Sequence, residues 1–328
     1  MSERMKFILG TMTFGSQVNE KEAEKMLNLF LESGHQEIDT AYVYNNGLSE
    51  EILGSILKNI PNNSYSIATK VNPRITGRLD AEAINMQISK SLRRLLKESV
   101  DILYLHFPNH ETPIESTLEV CAELYKEGKF RELGLSNFPA WMVVDVWHIC
   151  KRNGWPVPTV YQGMYNGLSR KAEDELFLAL RKLGIRFYAF NPLAGGILSG
   201  KYNNYEEEPI SGRFTFRTNY KERYWKKSFF EALNFISSAC REENIKIVEA
   251  AYRWLAFHSC LDINNGDGIL IGASNIEQLM QNILLLESGP LPDKIVASFD
   301  AAWQETKSDS PQYFRFLTKK EDSNYDRA

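Results

Sequence analysis

The chain has 328 residues, of which 43% are hydrophobic and 24% are charged, a balance typical of a globular protein with a large buried core. Its formal net charge of −4 weighs against nucleic acid as the main partner, because contact with phosphates normally requires a net basic surface. The four cysteines show no short-spaced pairing, so we expect reduced thiols and a cytoplasmic protein. We expect no signal peptide and no membrane-spanning segment, since the apolar run near the start is short.

Eight short apolar segments alternate with segments of helical period along almost the whole chain. The predicted strands, in chain order, are residues 7–9, 37–40, 66–71, 101–107, 131–136, 159–163, 185–190 and 269–272. Strands that alternate with helices at this spacing are expected to run parallel and to be joined by right-handed crossovers.

The predicted helices carry recognisable end signals. Asn19 and Glu22 form a capping pair before the first helix, and Gly34 follows its last turn. Its apolar stripe consists of Ala23, Met26, Leu27, Phe30 and Leu31. Pro113 opens the fourth helix at the first helical position, where its missing N–H is not needed, and Ser274 opens the last predicted helix directly after the eighth strand.

Eight strand–helix units without a break in composition favour a closed barrel over an open sheet. An open dinucleotide-binding sheet is expected to carry G-x-G-x-x-G after its first strand, and residues 9–15, LGTMTFG, do not match it. We therefore predict an α/β fold, a (β/α)8 TIM barrel forming a single domain over residues 1–317. Residues 194–227 are predicted to form a long functional loop after the seventh strand, and the polar tail, residues 318–328, is expected to be disordered.

Polar residues stand at the ends of three successive strands, where an apolar strand would otherwise continue. Asp39 ends the second strand and Tyr44 follows it, Lys70 ends the third strand, and His106 ends the fourth. In a parallel barrel these ends meet at the face that carries the active site. Charged groups there are costly to bury without a partner, so the four residues are predicted to form a catalytic group.

The spacing of these residues resembles the Asp, Tyr, Lys and His tetrad of the aldo-keto reductase family, including its Asp-x4-Tyr interval. Four further phrases, in order along the chain, are similar to the branch of aflatoxin-aldehyde and succinic-semialdehyde reductases: EIDTAYVYNNGLSE, LGLSNF, YQGMYN and NPLAGGILSGKY. The resemblance covers residues 5–316. It implies an enzyme that uses NADPH to reduce an aldehyde or ketone to an alcohol.

Elementary chemistry agrees with the roles that the resemblance implies. A phenol with an ordinary pKa of about 10 holds a proton at neutral pH, so Tyr44 can donate it. A neighbouring cation lowers that pKa, which is the role expected of Lys70, and Asp39 would hold the ammonium group in place. His106 would hydrogen-bond the substrate carbonyl and fix its direction.

The resemblance also implies a cofactor site that includes Asp39. Ser136, Asn137 and Gln162 are expected to bind the nicotinamide carboxamide, since hydroxyl and amide groups offer both donors and acceptors. The segment Phe190, Asn191, Pro192 and Leu193 matches the place where many members put a Tyr or Trp against the nicotinamide ring. Phenylalanine can stack there but lacks the hydroxyl group.

The phosphates are expected to lie against the loop after the seventh strand and the last predicted helix. Gly195 and Gly196 would allow close approach of the pyrophosphate, with Lys201 and Arg213 as cations. The residues that match family contacts to the adenosine 2′-phosphate and adenine are Ser274, Gln278, Gln281 and Asn282. Because no Lys or Arg lies between positions 272 and 282, the preference for NADPH over NADH is predicted to depend on Arg213.

Arg223 and Arg315 match positions that bind a substrate carboxylate in the resembling branch, and an arginine can hold a carboxylate through two parallel hydrogen bonds. Met12, Phe14 and Phe107 are predicted to form an apolar wall of the same pocket as His106. We therefore expect a small carbonyl compound as the partner, with carboxylate-bearing aldehydes such as succinic semialdehyde, and aromatic aldehydes, as the favoured class.

Two other interpretations compete with a reductase. Potassium-channel β subunits share the fold and bind NADPH as regulatory, redox-sensing partners with little turnover, but nothing here resembles their extended N-terminal segment. A metal-dependent hydrolase would need about three protein ligands. His106 lies on a predicted strand, where His110, four positions later, is not held beside it as it would be on a helix, so no metal is expected. Proteins of the resembling branch are often homodimers, although the sequence shows no patch that identifies an interface.

Overall fold

Residues 5–210, 213–216 and 218–316 are described in a computed structural model of the chain. Eight parallel strands close into a barrel in sequential order, which confirms the predicted (β/α)8 architecture. The strands are β1 Lys6–Gly10, β2 Glu37–Asp39, β3 Ser66–Val71, β4 Val100–Leu105, β5 Phe130–Ser136, β6 Pro158–Met164, β7 Arg186–Phe190 and β8 Gly268–Ile271. Each lies within two residues of its predicted ends.

Helices surround the barrel and also fill the connection between β7 and β8. They are α1 Glu20–Glu32, α2 Leu48–Leu57, α3 Ala81–Leu95, α4 Ile114–Lys126, α5 Ala140–Asn153, α6 Leu176–Leu183, α7 Arg213–Phe216, α8 Thr218–Tyr224, α9 Lys227–Glu242, α10 Ile247–Phe257, α11 Ile276–Leu284 and α12 Asp293–Thr306. The prediction that the helix opening at Ser274 is the last one was wrong, because α12 follows it. The buried stripe of Ile295, Phe299 and Ala302 carries the helical period, and Phe299 stacks on Trp254 of α10.

The helix-end predictions are partly confirmed. Asn19 Oδ1 accepts a hydrogen bond from the Glu22 main-chain N–H at 3.0 Å, as a cap requires. The Glu22 carboxylate, however, accepts a hydrogen bond from the main-chain N–H of Ile276 at 3.1 Å. It therefore connects α1 to the start of α11 instead of completing a capping box at the start of α1. Pro113 precedes α4 as its cap residue, and Asn275 rather than Ser274 caps α11.

Side chains fill the middle of the barrel and the end where the strands begin. A layer of buried side chains fills the middle of the barrel: Ile8, Ala68, Ile102, Tyr104, Val160, Tyr188 and Leu270. Below it, Tyr188 donates to Glu37 Oε2 at 2.6 Å, Lys6 Nζ lies 2.6 Å from Glu37 Oε1, and Arg186 pairs with Glu132. This polar network fills the end of the barrel where the strands begin.

The predicted long loop, residues 194–227, is more structured than expected. It contains a short 3-10 segment, Ala194–Ser199, followed by α7 and α8. The Trp225 ring packs edge-on against Tyr202 and Phe214, with centroids 5.3 and 5.2 Å away. Aromatic packing of this kind fixes the loop over the barrel mouth.

Some predictions fall outside the described residues or concern broad properties. The predicted polar tail, residues 318–328, lies outside them. No helix in the described part of the chain has the length and apolar character needed to cross a membrane. All four cysteines lie within the described part, and none forms a disulfide.

Candidate active site

A cavity of about 1070 Å³ opens at the carboxyl ends of the strands. Typical small-molecule pockets hold about 300–1,000 Å³, so this cavity has room for a large ligand and a small one together. It extends from Ser274 at the start of α11 to His106 and Phe107 after β4. Most of the residues predicted for the site line it.

Asp39, at the floor of the cavity, forms a buried ion pair with Lys70, which lies behind it. Lys70 Nζ lies 2.7 Å from Asp39 Oδ1, 2.6 Å from Oδ2 and 2.7 Å from the carbonyl oxygen of Thr40, so three acceptors surround the three ammonium protons. Burial raises the pKa of Asp39 and lowers that of Lys70, while their mutual attraction opposes both changes. Asp39 and the Thr40 carbonyl oxygen together fix the position of the Lys70 ammonium group.

The ring of Tyr44 lies against the ammonium group of Lys70. Lys70 Nζ is 5.1 Å from the centroid of the Tyr44 ring, within the range of a cation–π contact. Tyr44 begins a 3-10 turn in which Asn45 and Asn46 adopt left-handed backbone angles, with φ of 49° and 56°. Asn45 Nδ2 donates to the carbonyl oxygens of Met12 and Phe14, which ties the turn to the loop after β1.

His106 faces Tyr44 across the cavity floor. Their ring centroids are 6.1 Å apart with the rings nearly perpendicular, and Phe107 stacks on His106 at 4.8 Å. Burial, followed by the positive charges of Lys70 and Arg74, holds the pKa of His106 well below its ordinary value. The imidazole is therefore neutral at physiological pH, and a neutral imidazole has one N–H donor and one acceptor.

The residues predicted for the nicotinamide lie beside this group. Ser136, Asn137 and Gln162 line the cavity, and Asp39 reaches it as well. Asn137 Nδ2 donates to Ser136 Oγ at 3.0 Å and to the carbonyl oxygen of His106 at 2.9 Å. Since α5 begins only at Ala140, Ser136 and Asn137 are not a helix cap but polar groups at the end of β5.

The segment after β7 forms a second wall. Phe190, Asn191, Pro192, Leu193, Gly195, Gly196 and Lys201 all line the cavity. Gly195 and Gly196 have φ of 70° and 121°, which side chains rarely adopt, and a Cβ on Gly195 would lie 2.8 Å from Tyr224. Main chain that only glycine can form therefore borders the cavity, as a closely approaching phosphate requires.

Tyr220 of α8 joins two of the predicted arginines. The guanidinium carbon of Arg213 lies 5.0 Å from the centroid of the Tyr220 ring, and that of Arg223 lies 5.5 Å from it. All three side chains line the cavity. The arginine predicted for the cofactor and the one predicted for the substrate thus share an aromatic neighbour.

Five predicted site residues do not line the cavity. Lys70 lies fully buried behind Asp39, as its role requires. Phe14 is buried in the core outside the barrel and only its carbonyl oxygen is used by Asn45, so it is not a pocket wall. Gln281 and Asn282 lie one turn beyond Gln278 on α11. The Gln281 side chain is exposed to solvent, and that of Asn282 is buried. Arg315 donates its main-chain N–H to Asn137 at 3.0 Å, which places the segment but not the side chain at the cavity.

Asn72 and Arg74 are among the cavity residues that were not predicted from the sequence. Asn72 and Arg74 follow β3, and the guanidinium carbon of Arg74 lies 4.5 Å from the centroid of the Phe107 ring. The signal was present, since an Asn before Pro73 at the end of a strand is a cap signature, and Asn72 Oδ1 does accept from the Arg74 N–H. Among the residues that the structure describes, no three His, Cys, Asp or Glu side chains are grouped as metal ligands would be.

A neutral imidazole, a phenol beside a cation and a cavity with room for a dinucleotide suit a barrel oxidoreductase. Comparison with known proteins refines that class. The model of the Aldo/keto reductase family matches residues 6–304, and the chain belongs to this family. It is an oxidoreductase that reduces aldehydes and ketones with a nicotinamide cofactor, as its sequence predicted.

Named relatives are similar over nearly the full chain. Aflatoxin B1 aldehyde reductase member 2 of Mus musculus is 43% identical over 94% of this chain and 87% of its own length. Aldo-keto reductase family 7 member A3 of Homo sapiens is 43% identical over 94% of this chain and 96% of its own. The oxidoreductase sirO of Leptosphaeria maculans is 32% identical, over 93% of this chain and 96% of its own. These names do not favour the regulatory interpretation.

Proposed function

We propose that this chain reduces aldehydes with NADPH and that Tyr44 is the proton donor. The observation that carries the proposal is the Lys70 ammonium group, held by Asp39 and lying 5.1 Å from the centroid of the Tyr44 ring. A cation beside a phenol stabilises the phenolate and so favours release of the proton. His106 lies on the opposite side of the Tyr44 ring, where a second group can reach the same carbonyl oxygen.

In this proposal the two groups act on one oxygen atom. A carbonyl oxygen between the Tyr44 hydroxyl and His106 accepts a hydrogen bond from each, and the Tyr44 proton passes to it as negative charge develops. When bound, NADPH supplies the hydride that the carbonyl carbon receives. Solvent then returns a proton to Tyr44. Asp39 keeps the ammonium group of Lys70 from moving away.

The cavity walls suit the parts of NADPH. Ser136, Asn137 and Gln162 would hold the carboxamide, and the Phe190 ring would lie against the nicotinamide. The left-handed main chain at Gly195 and Gly196 would lie along the pyrophosphate. Ser274, with Gln278 accepting from its hydroxyl group at 2.9 Å, would contact the adenosine end at the N-terminus of α11. Arg213 would supply the preference for the 2′-phosphate.

Cations at the substrate end support a carboxylate-bearing aldehyde as substrate. Arg223 and Arg74 both line the cavity, although the whole chain carries a net negative charge. Phe107, between Arg74 and His106, offers an apolar surface for the carbon chain or for an aromatic ring. Arg315 stays a prediction from the resemblance alone.

The decisive experiment is a panel of aldehydes measured with NADPH and NADH in parallel, using Tyr44→Phe as the control. We expect turnover with NADPH, lower kcat/KM with NADH, and a severe loss of rate in Tyr44→Phe with nucleotide binding nearly unchanged. Absence of turnover with every aldehyde, while NADPH still binds tightly, would instead favour the regulatory function.

Two broader predictions belong with this proposal. The unpaired, mostly buried cysteines support a cytoplasmic location, since reduced thiols are usual there. A homodimer stays a prediction from the resemblance, to be checked by sedimentation of the purified protein.

A further inference from the structure

Asn72 is held in place by a single side chain of a neighbouring helix. Its main-chain N–H donates to Gln87 Oε1 at 2.8 Å, and its carbonyl oxygen accepts from Gln87 Nε2 at 3.1 Å. Gln87 lies on α3 and is fully buried, and Asn72 is 1% exposed. Two opposed hydrogen bonds from one buried amide leave the main chain of Asn72 little freedom to move.

The orientation of the Asn72 side chain follows from its partners. Its Oδ1 accepts from the main-chain N–H of Arg74 at 3.0 Å, and a main-chain N–H can only donate. The other end of the amide, Nδ2, therefore faces His106 Nδ1 at 3.2 Å. Because an amide nitrogen can only donate as well, His106 Nδ1 must be the acceptor.

Burial, followed by the positive charges of Lys70 and Arg74, leaves His106 neutral. The titratable and charged groups that face it are Lys70 on β3, Arg74 in the turn after β3, and Tyr44 after β2. Asn137, after β5, donates to its carbonyl oxygen and brings no charge. A neutral imidazole that accepts at Nδ1 carries its only proton on Nε2.

We propose that Gln87 and Asn72 form a buried clamp that fixes His106 as the Nε2–H tautomer, so that a neutral imidazole always presents a donor to the substrate carbonyl. The clamp proposal rests on the proposed function in one respect, which is that the substrate carbonyl oxygen lies beside His106. Without the clamp both tautomers are populated, and the Nδ1–H form turns a lone pair toward that oxygen. Asn72 and Gln87 are thus positioning residues that act through His106.

The first test is the tautomer itself, read by nitrogen NMR of the full chain labelled in its histidines, with His106→Gln used to assign the signal. We expect His106 to show a protonated Nε2 and an unprotonated Nδ1 near neutral pH. A protonated Nδ1 in the unsubstituted protein would overturn the proposal. This measurement needs no substrate and no folded variant of Asn72.

The second test uses Asn72→Asp. A carboxylate at this position accepts from Nδ1–H, so His106 should change tautomer and its pKa should rise. Above that raised pKa we expect kcat/KM to fall about 100-fold, the size of effect seen when one donor to a developing oxyanion is lost. Below it, the imidazolium again carries a proton on Nε2, and much of the activity should return. Gln87→Leu should give a mixture of tautomers and a loss of about tenfold, mainly in kcat.

Asn59→Asp is the matched control, because Asn59 is exposed beyond the end of α2 and the substitution makes the same change of charge. If Asn72→Asp and Asn59→Asp have the same pH profile of kcat/KM, the clamp has no role although the enzyme works. If the unsubstituted chain turns over no aldehyde but shows the expected tautomer, the proposed function fails and the clamp stands.

Discussion

Gln162 Nε2 donates a hydrogen bond to Asp39 Oδ1 at 2.8 Å, across the barrel from β6 to β2. The same carboxylate oxygen lies 2.7 Å from Lys70 Nζ. A residue that the sequence assigned to the nicotinamide thus holds Asp39, the acidic partner of Lys70. We infer that cofactor contact and the position of the buried ion pair depend on one side chain.

The first prediction concerns this bond. In Gln162→Met the buried Asp39 oxygen loses a donor, and we expect the free energy of unfolding to fall by about 1–3 kcal/mol. Nucleotide affinity should fall as well. Urea unfolding and nucleotide titration measure the two effects, with Gln304→Met on the exposed face of α12 as the control. Unchanged stability in Gln162→Met would show that this bond contributes nothing net.

The second prediction concerns Tyr44. Removing the hydroxyl group in Tyr44→Phe should lower kcat about 10²–10⁴-fold, the usual contribution of a positioned acid. The ring still packs against Lys70, so nucleotide affinity should change little. Steady-state rates and fluorescence titration with NADPH test this, and Tyr125→Phe, on the exposed side of α4, is the control. A loss of less than fivefold would assign the proton to another group.

The third prediction concerns Arg213. If it contacts the 2′-phosphate, Arg213→Ala should weaken NADPH binding about 10–100-fold, as loss of a hydrogen bond to a charged group does. NADH lacks that phosphate and should be affected far less. Titration with both nucleotides gives the comparison, with Arg152→Ala at the exposed end of α5 as the control. Equal losses for the two nucleotides would remove the assignment.

The fourth prediction separates the substrate-side arginines. Arg223 and Arg74 line the cavity and Arg315 does not. Alanine at Arg223 or Arg74 should therefore raise the KM for succinic semialdehyde about tenfold or more, and alanine at Arg315 should have a smaller effect. An uncharged aldehyde of the same length serves as the control substrate. If its KM rises equally, the arginines shape the pocket without binding a carboxylate.

The fifth prediction follows from the lowered pKa of His106. In the unfolded chain a histidine binds a proton at about pH 6.5, whereas folded His106 does so only at much lower pH. As the pH falls below about 6.5, the unfolded state gains a proton that the folded state does not bind. The free energy of unfolding should then fall by up to about 1.4 kcal/mol per pH unit from this group alone.

Urea unfolding from pH 7.5 to 5 measures that slope, and His106→Gln should show a shallower one. The difference between the two proteins isolates His106 from the other histidines. Parallel curves would mean that His106 titrates alike in the folded and unfolded states.

The strands and the catalytic group could be predicted because their signals are local. Buried parallel strands appear as continuous apolar runs, and a polar residue such as Lys70 at the end of one is conspicuous. The whole of β3, for example, was placed at its observed bounds. Knowing that strand ends meet at one face was enough to bring Asp39, Lys70 and His106 together.

The partners of those residues could not be read from sequence, since they depend on contacts far apart in the chain. Nothing near Gln162 indicates Asp39, which is 123 positions away. The Phe14 side chain was predicted to line the pocket, but it lies in the hydrophobic core. The direction of its loop depends on the hydrogen bonds from Asn45, which the sequence does not reveal. The helix α12 was missed because its apolar stripe lies beyond the eighth strand, after the expected barrel is complete.

The ring of Tyr220 lies against both Arg213 and Arg223. If Arg213 turns toward a nucleotide phosphate, its contact with the Tyr220 ring changes, and we infer that the ring passes this change to Arg223, so that the two ligands do not bind independently. Thermodynamic linkage makes such an influence reciprocal: whatever factor the nucleotide adds to the affinity for an anionic aldehyde, that aldehyde adds to the affinity for the nucleotide. A single aromatic side chain would then couple the affinities of the two ligands.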